Sequence, residues 1–154
     1  MAHLLLSTLV IVLSLVGLWD AIYFTLAYYG RVQNARWVPE ILCAREGSSC
    51  VTVVRTPYAR VFHWPNSLFG LVYYAALIVW VVVPSGWLAA ANAHLPSFSL
   101  LLKIGLTAVS ALTVFLGGYL IYALRAKLHT HCVLCYLAHA INTILLVLII
   151  LMAW

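Results

Sequence analysis

Four cysteines are the side chains best suited to chemistry here, and they fall into two pairs. Cys132 and Cys135 form a C-x-x-C at the start of an apolar stretch. A helix beginning there places them in its first turn at i and i+3, on one face and close enough for a strained, reducible disulfide. The unpaired N–H groups and dipole of a helix start favour a thiolate, and His129 and His131, where protonated, push the same way. Cys43 and Cys50 are separated by a stretch containing Gly47, Ser48 and Ser49, supple enough to join or part their sulfurs. Two dithiols that meet can exchange, an attacking thiolate passing through a mixed disulfide to the second pair.

Three blander readings compete. Unreactive buried cysteines are common in apolar proteins, but they should be scattered through the apolar runs, whereas no cysteine here lies mid-run. A structural zinc site needs four thiolates in two close pairs, and the gap between Cys43 and Cys50 is wide for that, so no metal is expected. Static disulfides explain the wide pair better than the helical one. No Rossmann glycine motif or P-loop is present, and Tyr136 follows the C-x-x-C where haem attachment would need His. Electrons reaching a C-x-x-C held between apolar helices would find their acceptor in a lipid-soluble quinone.

The elements that hold these thiols must sit in a membrane. The 154 residues are 66% hydrophobic and 7% charged, against about 25% charged in soluble domains. A transmembrane helix uses about 20 apolar residues, so the composition allows four spans and hardly more. The expected fold is an all-α membrane protein, a four-transmembrane-helix bundle forming a single domain over 1–154. Its spans are expected at about 4–29, 67–83, 98–124 and 132–154, with a long active-site loop, 30–65, between the first two. Pro84, Ser85 and Gly86 read as a helix stop, and Trp and Tyr cluster near the span ends as interfacial belts do. A cleaved signal peptide would show a basic leader and a shorter apolar run, and the first residues contain neither Lys nor Arg. The net charge of +5 comes from scattered residues rather than a basic stripe, which disfavours nucleic-acid binding.

Four spans put the loop 30–65 and the short polar hinge before Cys132 on one side of the membrane, and with them all four thiols. Seven of the eight basic residues fall on that side (Arg31, Arg36, Arg45, Arg55, Arg60, Arg125 and Lys127), leaving Lys103 opposite. Basic residues mark the cytoplasmic side, so the cysteine loops are expected to face the cytoplasm, the extracytoplasmic face being the alternative. Hyperthermophiles keep disulfides inside the cell, and a disulfide generator so oriented would serve such a cell. Asp20 lies about 14 Å inside the first span at 1.5 Å per residue. An acid at that depth is costly and is treated as functional by default. It would assist quinone protonation, or else pair with a hydroxyl or amide on another helix.

Taken together, the wide loop pair after span one, the segment Asn66, Ser67, Leu68, Phe69 and Gly70 opening span two, and the C-x-x-C opening span four resemble the vitamin K epoxide reductase family in kind and order. The resemblance covers essentially the whole chain. Another family of quinone-linked four-helix disulfide generators carries its C-x-x-C in the first loop instead. The resemblance implies a membrane thiol:quinone oxidoreductase that oxidises a thioredoxin-like partner and reduces a quinone of the ubiquinone, menaquinone or vitamin K type. It implies that Cys43 exchanges with the partner, that Cys50 carries electrons to Cys132, and that Cys135 faces the quinone. It places Asn66 at a quinone carbonyl with Ser67 beside it. The chain departs from the family at Ala44, where some members carry an acid after the first loop cysteine, and at His139, a Tyr in vertebrate members. His139, one helical turn below Cys135, would donate to the second quinone oxygen or bond a neighbouring helix. That departure weighs against vitamin K epoxide as substrate. With no thioredoxin-like stretch in the 154 residues, the partner is expected to be a separate protein. The alternatives are a vitamin K epoxide reductase proper and a structural scaffold or metal site built on four cysteines.

Overall fold

The computed structural model describes residues 1–32, 49–83 and 97–153. The first apolar run forms one helix, α1 (Ala2–Tyr28), whose only charged residue is Asp20. Its end is set by local chemistry. Gly30 adopts φ 71°, and the Gly30 and Arg31 N–H groups donate to the Ala27 and Leu26 carbonyls, closing a Schellman motif that glycine enters without a Cβ penalty.

A short helix, α2 (Ser49–Val54), then carries Cys50. Its sequence Ser-Cys-Val-Thr-Val-Val is rich in β-branched residues, which are weak helix formers, and six residues do not hold a helix alone. Burial supplies the stability: Cys50, Val51, Val53 and Val54 are all in the core beside Tyr23 and Ala27 of α1 and Leu134 of the last helix. A 3-10 turn (Pro57–Ala59) leads into a hairpin of β1 (Arg60–Val61) and β2 (Trp64–Pro65), paired antiparallel with Arg60 opposite Pro65. Its two turn residues, Phe62 and His63, have φ of 49° and 72°, the left-handed geometry that two-residue hairpins require.

Three further helices follow: α3 (Asn66–Val82), α4 (Phe98–Ala126) and α5 (Val133–Ala153). Between α4 and α5 the Leu128 and Thr130 N–H groups return to the Ala123 and Leu124 carbonyls, so the chain reverses in a few residues. α1 packs on α3 and α5, and α4 packs on α5. The α1–α3 contact is antiparallel: the Thr25 hydroxyl donates to Ser67 at 2.9 Å, Gly70 lies against Ala21, and Gly17 lies against the Tyr74 ring.

Three helical stretches, His3–Tyr28, Phe98–Ala126 and Val133–Met152, are long and apolar enough to cross a membrane. The fourth, α3, has 17 residues, about 25 Å at 1.5 Å per residue, short of the roughly 30 Å hydrocarbon thickness. Large apolar side chains such as Phe115, Val72 and Leu101 are 66–75% exposed. Apolar surface on that scale is what lipid covers. The described helix ends lie within two residues of the limits 4–29, 67–83, 98–124 and 132–154. Pro84 to Pro96 and most of the stretch around Cys43, including the interfacial segment expected at Val38 to Cys43, lie outside the described residues.

Candidate functional site

Three of the four cysteines come together at the end of the bundle where α1 finishes and α5 begins. Cys50 and Cys132 are fully buried and Cys135 is 9% exposed. The Cys50 and Cys132 sulfurs are 2.7 Å apart, and the Cys135 thiol donates to the Cys132 sulfur at 2.6 Å. Cys132 is therefore the middle member of a line of three sulfurs. Cys50 is disulfide-bonded, whereas Cys132 and Cys135 are free thiols. Cys43 lies outside the described residues.

The C-x-x-C differs in one respect from the sequence expectation. Only Cys135 is inside α5, which starts at Val133. Cys132 is the residue before it: its carbonyl accepts the first helical bond, from the Tyr136 N–H at 3.2 Å, and its sulfur accepts the Cys135 N–H at 3.3 Å. A side chain that satisfies the third N–H of a helix from the preceding position is an N-cap. Here sulfur does what a Ser or Thr hydroxyl usually does, and backbone donation of this kind strengthens when the acceptor is anionic.

The packing around the sulfurs is aromatic and aliphatic. Tyr23 is fully buried in the same cluster, with Trp19, Phe24, Tyr28 and Tyr136 packed against it. Arg60 lies over the Tyr28 ring at 5.5 Å and Arg125 over the Tyr136 ring at 5.6 Å, so two of the aromatics packed against the sulfur cluster carry a stacked cation. His131 Nδ1 lies 3.3 Å from the Tyr136 hydroxyl. Trp19 and Tyr23 stand at i, i+4 on α1, the spacing that puts both on one helix face.

Among the described residues no group of three or more His, Cys, Asp and Glu is placed to hold a metal ion.

The remaining sequence candidates lie deeper or to one side. Asn66 opens α3 and is partly buried. Ser67 is engaged by Thr25. His139 is partly buried on α5 with its Nδ1 enclosed and without a hydrogen-bond partner among the described residues. The ring sits over Gly117 of α4, where an added Cβ would come within 2.6 Å of Nδ1. An orphaned ring nitrogen one turn below Cys135 suits a carbonyl group such as a quinone offers. Among the described residues His139 Nδ1 meets no partner on a neighbouring helix. Asp20 is likewise buried, with Oδ1 unpartnered among the described residues.

The chain matches the family described as the vitamin K epoxide reductase family over residues 8–150, and no curated protein matches it. Together with the buried cysteines at the head of an apolar helical bundle, that match over nearly the whole chain settles the kinship: the chain belongs to the vitamin K epoxide reductase family.

Proposed function

We propose that this membrane oxidoreductase generates disulfides, taking electrons from a thioredoxin-like protein through Cys43 and Cys50 to Cys132 and Cys135 and on to a quinone. The observation that carries the reading is the unbroken line of sulfurs from Cys50 through Cys132 to Cys135, with steps of 2.7 and 2.6 Å. Exchange needs an attacking sulfur, a central sulfur and a leaving sulfur close together, and this line supplies them without moving a helix.

In the proposed cycle a partner dithiol reduces the Cys43–Cys50 disulfide and leaves as a disulfide. The freed Cys50 thiolate attacks Cys132 of an oxidised Cys132–Cys135 pair, forming a Cys50–Cys132 bond and releasing Cys135 as thiolate. Cys43 then attacks Cys50, restoring the outer disulfide and freeing Cys132. A disulfide at Cys50 beside free Cys132 and Cys135 corresponds to this stage, with both electrons on the inner pair. Helix-start N–H donation to Cys132 favours its departure as an anion. A quinone, when bound, accepts the electron pair. Cys135, His139 and Asn66 with Ser67 are the residues that would hold it, and the apolar wall around the sulfurs keeps water away.

Four membrane crossings, with α3 completing the set, put both cysteine pairs on one face. The basic bias of seven to one assigns that face to the cytoplasm. Rapid labelling of loop cysteines in intact cells by a membrane-impermeant thiol reagent would reverse the orientation and leave the chemistry untouched.

The decisive test measures quinone reduction by a reduced thioredoxin-like protein. Cys132→Ala and Cys135→Ala are each expected to abolish it, and Cys50→Ala to trap the partner at Cys43. Undiminished turnover in both Ala variants would end the proposal. A parallel assay with vitamin K epoxide separates a quinone reductase from an epoxide reductase.

A further inference from the structure

The helix that carries Cys135 starts under a clasp that the proposed cycle does not use. With Cys132 as its N-cap, His131 stands one position outside α5 and Tyr136 is the fourth residue inside it. These are the two positions that a hydrophobic staple joins to fix the angle at which a chain enters a helix. Here the join is polar as well. His131 Nδ1 lies 3.3 Å from the Tyr136 hydroxyl, and the two ring centroids are 6.4 Å apart. Tyr136 is also held from two other sides. Its ring carries the guanidinium of Arg125, from the last turn of α4, at 5.6 Å, and it packs, partly buried, against the cluster of Cys50, Cys132 and Cys135. One side chain thus ties the end of α4, the polar hinge and the first turn of α5 around Cys132. The hinge is fixed from the α4 side too: the Leu128 and Thr130 N–H groups return to Ala123 and Leu124, and the Thr130 hydroxyl donates to the Leu128 carbonyl at 2.8 Å.

We infer that the contact between His131 and Tyr136 positions the Cys132 sulfur for redox exchange, holding it where the Cys135 N–H and the Cys135 thiol both donate to it. Such donation strengthens as the acceptor gains negative charge, so it supports the reduced sulfur more than the disulfide. Support for the reduced form makes a dithiol couple more oxidising. The clasp therefore raises the reduction potential of the Cys132–Cys135 pair. His131 and Tyr136 act through Cys132 and are positioning residues. The inference deepens the thiol:quinone reading and rests on it, because it needs Cys132 and Cys135 to cycle between dithiol and disulfide.

The test is a glutathione titration of the full-length protein in detergent, with Cys43 and Cys50 replaced by Ser. Two glutathione thiols give two electrons and two protons to the Cys132–Cys135 disulfide and leave as glutathione disulfide, and the protein thiols are counted by alkylation and mass. Tyr136→Phe keeps the ring and its stacked cation and loses the hydroxyl. It is expected to move the equilibrium about fivefold towards the protein disulfide, the typical worth of a helix cap, which is a fall of about 20 mV at about 30 mV per tenfold. His131→Ala should give the same shift, and the double variant no more than either alone, as for two ends of one contact. His131→Asn, which returns a polar atom near the place of Nδ1, should recover most of it. A general loss of stability would lower the unfolding midpoint without this pattern. An unmoved equilibrium in Tyr136→Phe, or shifts that add in the double variant, would overturn the positioning role. A pair that forms no disulfide at any glutathione ratio would overturn it together with the thiol:quinone reading. The expected shifts in a protein that reduces no quinone would uphold the clasp and sink the quinone reading alone, so the two failures are told apart.

Discussion

The two ends of the bundle interior are built from different materials. At the rim, the core consists of sulfurs enclosed by Tyr23, Val51, Val54 and Leu134, and the polar contacts are sulfur to sulfur or sulfur to backbone. Deeper in, paired oxygens tie helices together: Tyr73 donates to Ser110 at 3.1 Å and Tyr74 to Asn142 at 2.7 Å. Under the proposed function the rim changes partners and the interior keeps them. Ser14, Asp20 and His139 belong to neither pattern, each being a buried polar group with an atom unpartnered among the described residues. Unsatisfied groups in an otherwise satisfied core are where function is expected to reside.

Substitutions that separate chemistry from stability sharpen this contrast. The largest effect is expected for Cys132→Ser. Serine keeps an N-cap acceptor before α5, so the thermal midpoint should hardly move, while quinone reduction by a reduced thioredoxin-like protein falls at least about 10³-fold, as for a lost nucleophile. Retained turnover would show that the rim is a structural knot. Next comes Gly17→Ala: the new Cβ would overlap the Tyr74 ring, which must shift and strain its bond to Asn142. Overpacking of this kind costs about 1–3 kcal/mol, read as a lower unfolding midpoint in detergent. An unchanged midpoint would mean that α1 and α3 slide freely. The smallest is Tyr73→Phe, which removes the bond to Ser110 and should cost about 0.6 kcal/mol, the average for a hydrogen bond between membrane helices, with activity retained. Loss of activity at full stability would place Tyr73 with the rim and dissolve the distinction.

Much of this was legible in the chain. Apolar runs interrupted by Gly30, Pro84 and the polar hinge before Cys132 mark helix limits because lipid leaves a backbone no alternative to internal hydrogen bonding. The C-x-x-C at the head of the last run marked where three of the four sulfurs gather. Less legible was α2, since Ser-Cys-Val-Thr-Val-Val has no local preference for helix and acquires one only against α1 and α5. The capping role of Cys132 also escaped the pattern, because C-x-x-C spacing does not say where the first helical residue falls. Asn66 and Ser67 were picked out only through family resemblance. Their positions at the head of α3 are as expected, while the engagement of Ser67 by Thr25 was not foreseen.

Composition by itself determined the solvent, and the solvent determined long helices. The order of the cysteines determined the family. Tertiary structure decided which sulfur meets which: Cys50 and Cys132 are 82 residues apart in the chain and 2.7 Å apart in space. It also decided that Asp20 is buried with Oδ1 unpartnered among the described residues. Hydropathy and spacing report on residues that are near neighbours in sequence, whereas contacts across a bundle depend on how helix faces rotate and dock, and no local pattern contains that information.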